Sequence, residues 1–314
     1  MEGDAWGDQM AEPTDDEPPG LSRVHRRLIE PGKQDGEQDL AYQHTVFCQT
    51  GLPYRDPGGG ARIWQREQGG VSLRVEAGAT RHPKTGEWIE LGLPWGTKPR
   101  LVLAHLNAEA LRQRSPVIEI ENSLSAFVRR IRGFKHGREI RAFKDQLTRL
   151  ANSTFRFVIN TAEGPEQTNE QIIRNFKLWP EKDARQRVLW PTEIRFSIEY
   201  FMSLQKHAVP LREADLAALA HSAMALDIYS WLAQRLHRID RRRTAFIPWE
   251  AVRQQFGPDY ERIRDFRRIF RHALVQVLAR YQAARVELDE RGLTLRNSEP
   301  PVPSRLVQLP GPCS

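Results

Sequence analysis

The strongest constraint on the fold is an order of elements that the sequence presents twice: a short helix, a turn, a longer amphipathic helix with cations beside its apolar stripe, and a pair of strands. In the second occurrence, Ile263, Phe266, Phe270, Leu274, Val277 and Tyr281 recur at spacings of three and four, so they share one face of a helix predicted from Tyr260 to about Ala284. Arg264, Arg267, Arg268 and Arg271 project beside that stripe. Ahead of it, TAFIP reads as a short strand, Trp249 to Phe256 as a helix and Gly257-Pro258 as the turn. Behind it, RVELDERGLTLR reads as two strands around Glu290-Arg291-Gly292.

The first occurrence has the same order without the same residues. A helix capped by Asn122 or Ser123 runs through SLSAFVRRI, a turn spans Gly133 to Gly137, and a second helix covers Arg138 to about Leu150. Ile140, Phe143, Leu147 and Leu150 form its buried stripe, while Arg138, Arg141, Lys144 and Thr148 lie elsewhere on it. STFRFVIN and QIIRNFKLWP, separated by a polar turn around Gly164-Pro165, read as the hairpin behind it. Helix, turn, helix and hairpin describe a winged helix. The expected fold is therefore α+β and mainly helical, with two tandem winged-helix domains and small antiparallel hairpins.

Around these modules, residues 1–40 are expected to be a disordered acidic region, 41–184 the N-terminal winged-helix domain, 185–298 the C-terminal DNA-binding one and 299–314 a flexible Pro-rich tail. The stretch from Leu21 to about Gly60 reads as irregular. RIWQREQGGVSLRVEAGATRHPKTGEWIEL reads as small antiparallel strands, and PRLVLAHLNAEALRQ as a helix ending at Ser115-Pro116. A strand at RVLWPTEIRFS enters a short helix near Phe201, Pro210 breaks the chain, and one long helix follows from about Ala214 to His237.

Charge then points to the partner. The chain carries a net +7, and its first twenty residues hold seven acidic side chains and no Lys or Arg, so the remainder carries +14. A cationic helix face seated on its own module is what contact with phosphates and base edges of double-stranded DNA requires, because the planar guanidinium donates two hydrogen bonds to one guanine or phosphate. Arg241, Arg242 and Arg243, within RLHRIDRRR, either touch phosphate or serve the helix C-terminus. Arg285, Arg291 and Arg296 are assigned to the wing turns with a weak backbone role. Trp190, Trp231 and Trp249 are read as core rather than as base-stacking platforms.

Other function classes lose support. The chain has no apolar run long enough to span a membrane, its mean hydropathy is −0.59, and no secretory leader opens it, so a cytoplasmic protein is expected. There is no G-x-x-x-x-G-K-[ST] loop, HExxH helix or G-x-S-x-G elbow, and Cys48 and Cys313 belong to no metal-binding pattern. No enzyme, no catalytic residue, no metal and no cofactor are expected.

Several blocks also resemble the plasmid-encoded RepA family: GLPWGTKPRLVLAHLNAEALRQRSPVIEIENSLSAFVRRI, LWPTEIRFSIEYFMSLQKHAVPL, HSAMALDIYSWLAQRLHRI and IPWEAVRQQFGPDYERIRDFRRIF, in that order. The resemblance covers roughly Phe47 to Pro303. It implies a replication initiator that binds repeated sites in origin DNA, promotes opening of the adjacent AT-rich tract and recruits host helicase or initiator proteins, often passing between homodimer and monomer. RGFKHGREIRAFK departs from it, being compact and basic where a variable, glycine-rich insertion is the pattern. A winged-helix transcriptional regulator without a replication role is the alternative. The acidic N-terminus resembles nothing in the family and is expected to limit non-specific DNA binding by competing for the basic faces.

Overall fold

The structure, a computed structural model, describes residues 40–58, 60–82, 85–119, 137–161, 164–178 and 191–303. In chain order the elements are β1 (Leu40–His44), α1 (Thr45–Thr50), β2 (Ile63–Gln68), β3 (Val71–Glu76), β4 (Ala79–Arg81), β5 (Trp88–Glu90), α2 (Thr97–Gln113), β6 (Val117–Glu119), α3 (Gly137–Asn152), β7 (Thr154–Thr161), β8 (Gly164–Glu170), β9 (Ile173–Leu178) and β10 (Pro191–Phe196). There follow α4 (Ile198–His207), β11 (Ala208–Arg212), α5 (Glu213–Leu219), α6 (Ala223–Arg235), a 3-10 turn (Leu236–Arg238), β12 (Thr244–Pro248), α7 (Trp249–Phe256), α8 (Ile263–Arg280), β13 (Val286–Leu288) and β14 (Gly292–Arg296). The fold is α+β. Among the described residues no helix is long and apolar enough to cross a membrane.

Two three-stranded antiparallel sheets share one ordering. In β6-β10-β9 and in β12-β14-β13, the strand that comes first in the chain lies at one edge and the last lies in the middle. Each first strand follows a helix buried nearly all round, α2 in one unit and α6 in the other, and the last two strands follow α3 and α8. The first unit holds an insertion. β7 and β8 leave it to extend β2 and β3 into a four-stranded sheet of order β2-β3-β7-β8.

This corrects the hairpin expected from STFRFVIN and QIIRNFKLWP. β7 pairs with β8, the polar stretch expected to be a turn, whereas β9 pairs with β10 in the other sheet. β8 is an edge strand, where backbone pairing on one side is enough and an apolar side-chain pattern is not needed. Other expectations change as well. The stretch read as irregular contains β1 and α1, whose residues are almost all buried, because β1 pairs in full register with the distant β11. Pro210 lies within that pairing, opposite Tyr42, in a two-stranded sheet that tolerates a missing N–H. The single helix expected from Ala214 to His237 is two, because the Ser222 side chain accepts from the Ala225 N–H and starts α6 afresh. Pro301 and Val302, assigned to the mobile tail, are buried. The helix expected over SLSAFVRRI, residues 1–39, Trp190 and residues 304–314 lie outside the described residues.

Pairing also crosses the boundary drawn between residues 184 and 185, since β10 joins β6 and β9. The two units share one apolar core from Leu40 to Val302. Asn107 ties three elements together, donating to the Tyr42 carbonyl and accepting from the Tyr200 hydroxyl.

His44 joins this core with consequences for pH. Its Nδ1 accepts from the Val46 N–H at 3.3 Å, capping α1, which places its proton on Nε2 facing the Ser203 hydroxyl at 3.1 Å, while the ring stacks on Tyr200. Burial, reinforced by nearby His207, pushes its pKa down to about 3. Between pH 6.5 and that value the unfolded chain binds a proton that the native state refuses. The stabilisation is therefore complete above pH 6.5 and is lost as pH falls. Lowering the pH from 7 to 5 is expected to cost the wild-type protein about 2 kcal/mol more than it costs His44→Gln. Urea unfolding of both proteins at the two pH values checks this, and equal losses would refute it.

Candidate nucleic-acid interface

The second unit builds its helical angle on aromatic rings. Trp249 and Phe256 of α7 meet Phe266 and Phe270 of α8 edge-on or tilted, with Trp249–Phe270 centroids 5.8 Å apart and Phe256–Phe270 5.4 Å apart, and Trp231 of α6 closes the cluster against Phe256 at 5.3 Å. The turn between α7 and α8 runs so close that a Cβ at Gly257 would stand 2.5 Å from the Phe266 ring and 2.7 Å from Tyr260. Gly257→Ala is therefore expected to lower stability by about 1–3 kcal/mol through overpacking. Thermal unfolding reads the loss, and an unchanged midpoint would contradict the close approach.

On the other side of α8, the four arginines divide. Arg264 and Arg268 are exposed and have no hydrogen-bond or ion-pair partner among the described residues. Arg267 and Arg271 lie over the Trp249 ring at 5.3 and 5.5 Å. The Trp249 indole N–H donates to the Asp289 carbonyl at 3.0 Å, and its backbone N–H donates to the Arg291 carbonyl at 3.1 Å. One side chain therefore joins the arginine row of α8 to the turn between β13 and β14. That turn is itself fixed: the Asp289 carboxylate accepts from the Gly292 and Arg291 N–H groups, which hold its pKa below the usual carboxylate range. It presents Arg291, whose guanidinium rests on Phe246 at 5.3 Å.

Arg241, Arg242 and Arg243 are not part of this cluster. The β12–β14 ladder runs from Thr244 opposite Arg296 to Pro248 opposite Gly292, and the three arginines precede its far end. There they join Arg285 and Arg296 around an open groove of about 700 Å³. Arg285 and Arg296, assigned from sequence to the wing turns, thus sit at the base of the hairpin, and only Arg291 lies at its tip. Sequence reading missed this because strand register, not spacing, brings Arg285 and Arg296 beside residues 241–243. The carbonyls at the end of α6 and its 3-10 turn are met instead by His237, whose ring contacts the Ala233 carbonyl, and by Asn297, which donates to the His237 and Ile239 carbonyls.

In the first unit, α3 seats Phe143, Leu147 and Leu150 in the core, and the Lys98 ammonium lies over the Phe143 ring. Arg141 is exposed and Lys144 half-buried on its outer side. Arg138 lies in the first turn of α3, with its side chain outside the described residues. Arg149 is taken up by Asp145 and Asp56. α3 therefore carries Glu139 and Asp145 among its cations, whereas α8 carries the single acid Asp265 beside five arginines.

Residues 93–251 match the sequence profile of the family described as plasmid encoded RepA protein. The chain belongs to that family. The RepA match begins just before α2 and closes within α7, so it takes in the first unit, its insertion, β11 and α6, and stops short of α8. Two solved structures of RctB domains 2 and 3 resemble the fold. A selenomethionine form has 11% identity and a TM-score of 0.48, over 81% of this chain and 98% of the other. A second has 9% identity and a TM-score of 0.45, over 77% and 92%. No curated protein matches the chain.

Proposed function

We propose that this RepA-family protein is a cytoplasmic, non-enzymatic plasmid replication initiator that binds double-stranded DNA at repeated origin sites, promotes opening of the origin and recruits host helicase or initiator proteins. The observation that carries the DNA reading is Trp249, which gathers Arg267, Arg271 and the turn bearing Arg291 around the N-terminal half of α8. In this reading the two similarly ordered units are tandem winged helices. The α8 unit enters the major groove with Arg264 and Arg268 at base edges, and the Arg291 turn follows the phosphates alongside. The outer face of α3, with Arg138, Arg141 and Lys144, contacts DNA from the other unit, and Arg241, Arg242 and Arg243 supply phosphate contacts beyond the helix. A homodimer of this chain would present these faces in pairs to repeated or palindromic sites.

A footprint of the purified protein on DNA flanking its own gene, at two salt concentrations, tests the proposal. Regularly spaced protection beside an AT-rich tract, weakening steeply with salt, is expected. A single protected palindrome would favour the regulator instead, and no protection on any origin-sized fragment would overturn DNA recognition altogether.

A further inference from the structure

The groove at the base of the β12–β14–β13 hairpin is a concentration of positive charge that few acids among the described residues offset. Arg241, Arg242, Arg243 and Arg285 are exposed, and their guanidinium groups have no hydrogen-bond or ion-pair partner among the described residues. Arg296 reaches Glu287 at 3.1 Å across exposed surface, which water screens. Besides Glu287, the acids nearby among the described residues are Asp240, whose carboxylate accepts from the Arg242 backbone N–H, and Glu299 on the rim.

The path of the chain brings a matching segment to this place. Leu40, the first described residue, stands opposite Arg212 in the β1–β11 ladder. The Arg212 side chain donates to the Pro301 carbonyl at 2.8 Å, and Pro301 is two residues beyond Glu299, whose own carbonyl holds the Tyr281 hydroxyl. The thirty-nine residues that precede Leu40 therefore join the described fold on a strand that is tied, through Arg212 and Pro301, to the segment bearing Glu299 on the rim of the groove. Residues 1–20 carry seven acidic side chains and no Lys or Arg, and residues 21–39 contain four of each sign and sum to zero. Those nineteen neutral residues can extend up to about 60 Å. Tethering at such a distance holds the acidic segment at an effective concentration on the order of millimolar, so weak individual attractions suffice for occupancy.

We infer that the acidic segment of residues 2–17 docks within its own chain in the groove lined by Arg241, Arg242, Arg243, Arg285 and Arg296, as an intramolecular polyanion that DNA phosphates must displace. The α8 face is the less suitable seat: Glu261 and Asp265 stand among its arginines, and Arg267 and Arg271 already lean on Trp249. The docking itself does not depend on DNA binding, so it can fail while the proposed function stands, and the reverse.

The experiment uses the full chain with Thr14→Cys carrying a nitroxide and Cys313→Ser; Cys48 is buried and stays. Broadening of backbone amide signals is read at moderate salt. Signals of residues 241–244, 282–285 and 296–299 are expected to fall below half intensity, and to recover at 0.5–1 M salt, where the Debye length shortens to about 3–4 Å. They should also recover when the seven acids are changed to Asn and Gln, a change outside the described fold. Addition of a non-cognate DNA duplex should restore the same signals. Broadening centred on residues 264–271, or none at the groove, would overturn the inference. So would broadening seen only when the nitroxide is on one chain and the isotope on another, which would assign the segment to a second copy.

Discussion

Asp227→Ala is expected to destabilise the protein by about 3–5 kcal/mol. Arg100 on α2 and Asp227 on α6 are both buried and face each other in a two-pronged pair, Nε to Oδ1 at 2.7 Å and Nη2 to Oδ2 at 2.8 Å. The remaining guanidinium donors go to the carbonyls of Leu52 at 2.6 Å, Gly96 at 2.6 Å and Pro53 at 3.2 Å. Gly51 completes the enclosure. Its φ of 64° suits glycine, and a Cβ there would collide with the Asp227 carboxylate. Removing the carboxylate leaves a positive charge in the core with no counter-charge, which costs far more than the pair contributes net. Replacing both residues, Arg100→Met with Asp227→Leu, is therefore expected to be less harmful than Asp227→Ala alone. Urea unfolding of the three proteins decides it. A loss under 1 kcal/mol for Asp227→Ala, or a double variant worse than the single, would refute this account.

The second large effect falls on DNA binding and rests on the proposed function. Arg264 and Arg268 are one helical turn apart, exposed and without a side-chain partner among the described residues, so replacing them with alanine should leave folding intact. Each base-reading arginine is worth about 1–3 kcal/mol, so the double variant is expected to lose at least about thirtyfold in affinity for its cognate repeat and much less for unrelated duplex. Arg267→Ala should differ, because it also removes a ring contact worth about 0.5–1 kcal/mol to stability. Binding titrations at fixed salt, paired with thermal unfolding, separate the two kinds of loss. Equal weakening on all sequences for Arg264→Ala with Arg268→Ala would assign those residues to phosphate, and no change in either measurement would remove α8 from the interface.

Much of the second unit is legible in the sequence because its signals are local. The α8 stripe follows from three- and four-residue spacing, and Gly292 after Arg291 marks the hairpin turn; every residue of that stripe except half-buried Ile263 is buried. The RepA resemblance, too, is carried by contiguous blocks. The first unit is harder to read because its pairing is not local. β8 is polar and pairs at an edge, while β9 waits for β10 across residues 179–190, so periodicity alone joins the wrong two strands. β1 escapes notice for the same reason, since its partner lies 168 residues away at Ala208–Arg212.

Which helices are amphipathic, where their arginines stand, and that the chain is basic beyond an acidic start can all be read along the chain. Periodicity, turn chemistry and net charge depend only on residues near one another or on their sum. Folding in three dimensions is what sets Arg267 and Arg271 on Trp249, brings Arg285 and Arg296 beside Arg241, Arg242 and Arg243, and joins Arg100 to Asp227 in the core. Those groupings are set by strand register and by packing between helices far apart in the chain, and the side chains concerned carry no mark of the partner they will meet.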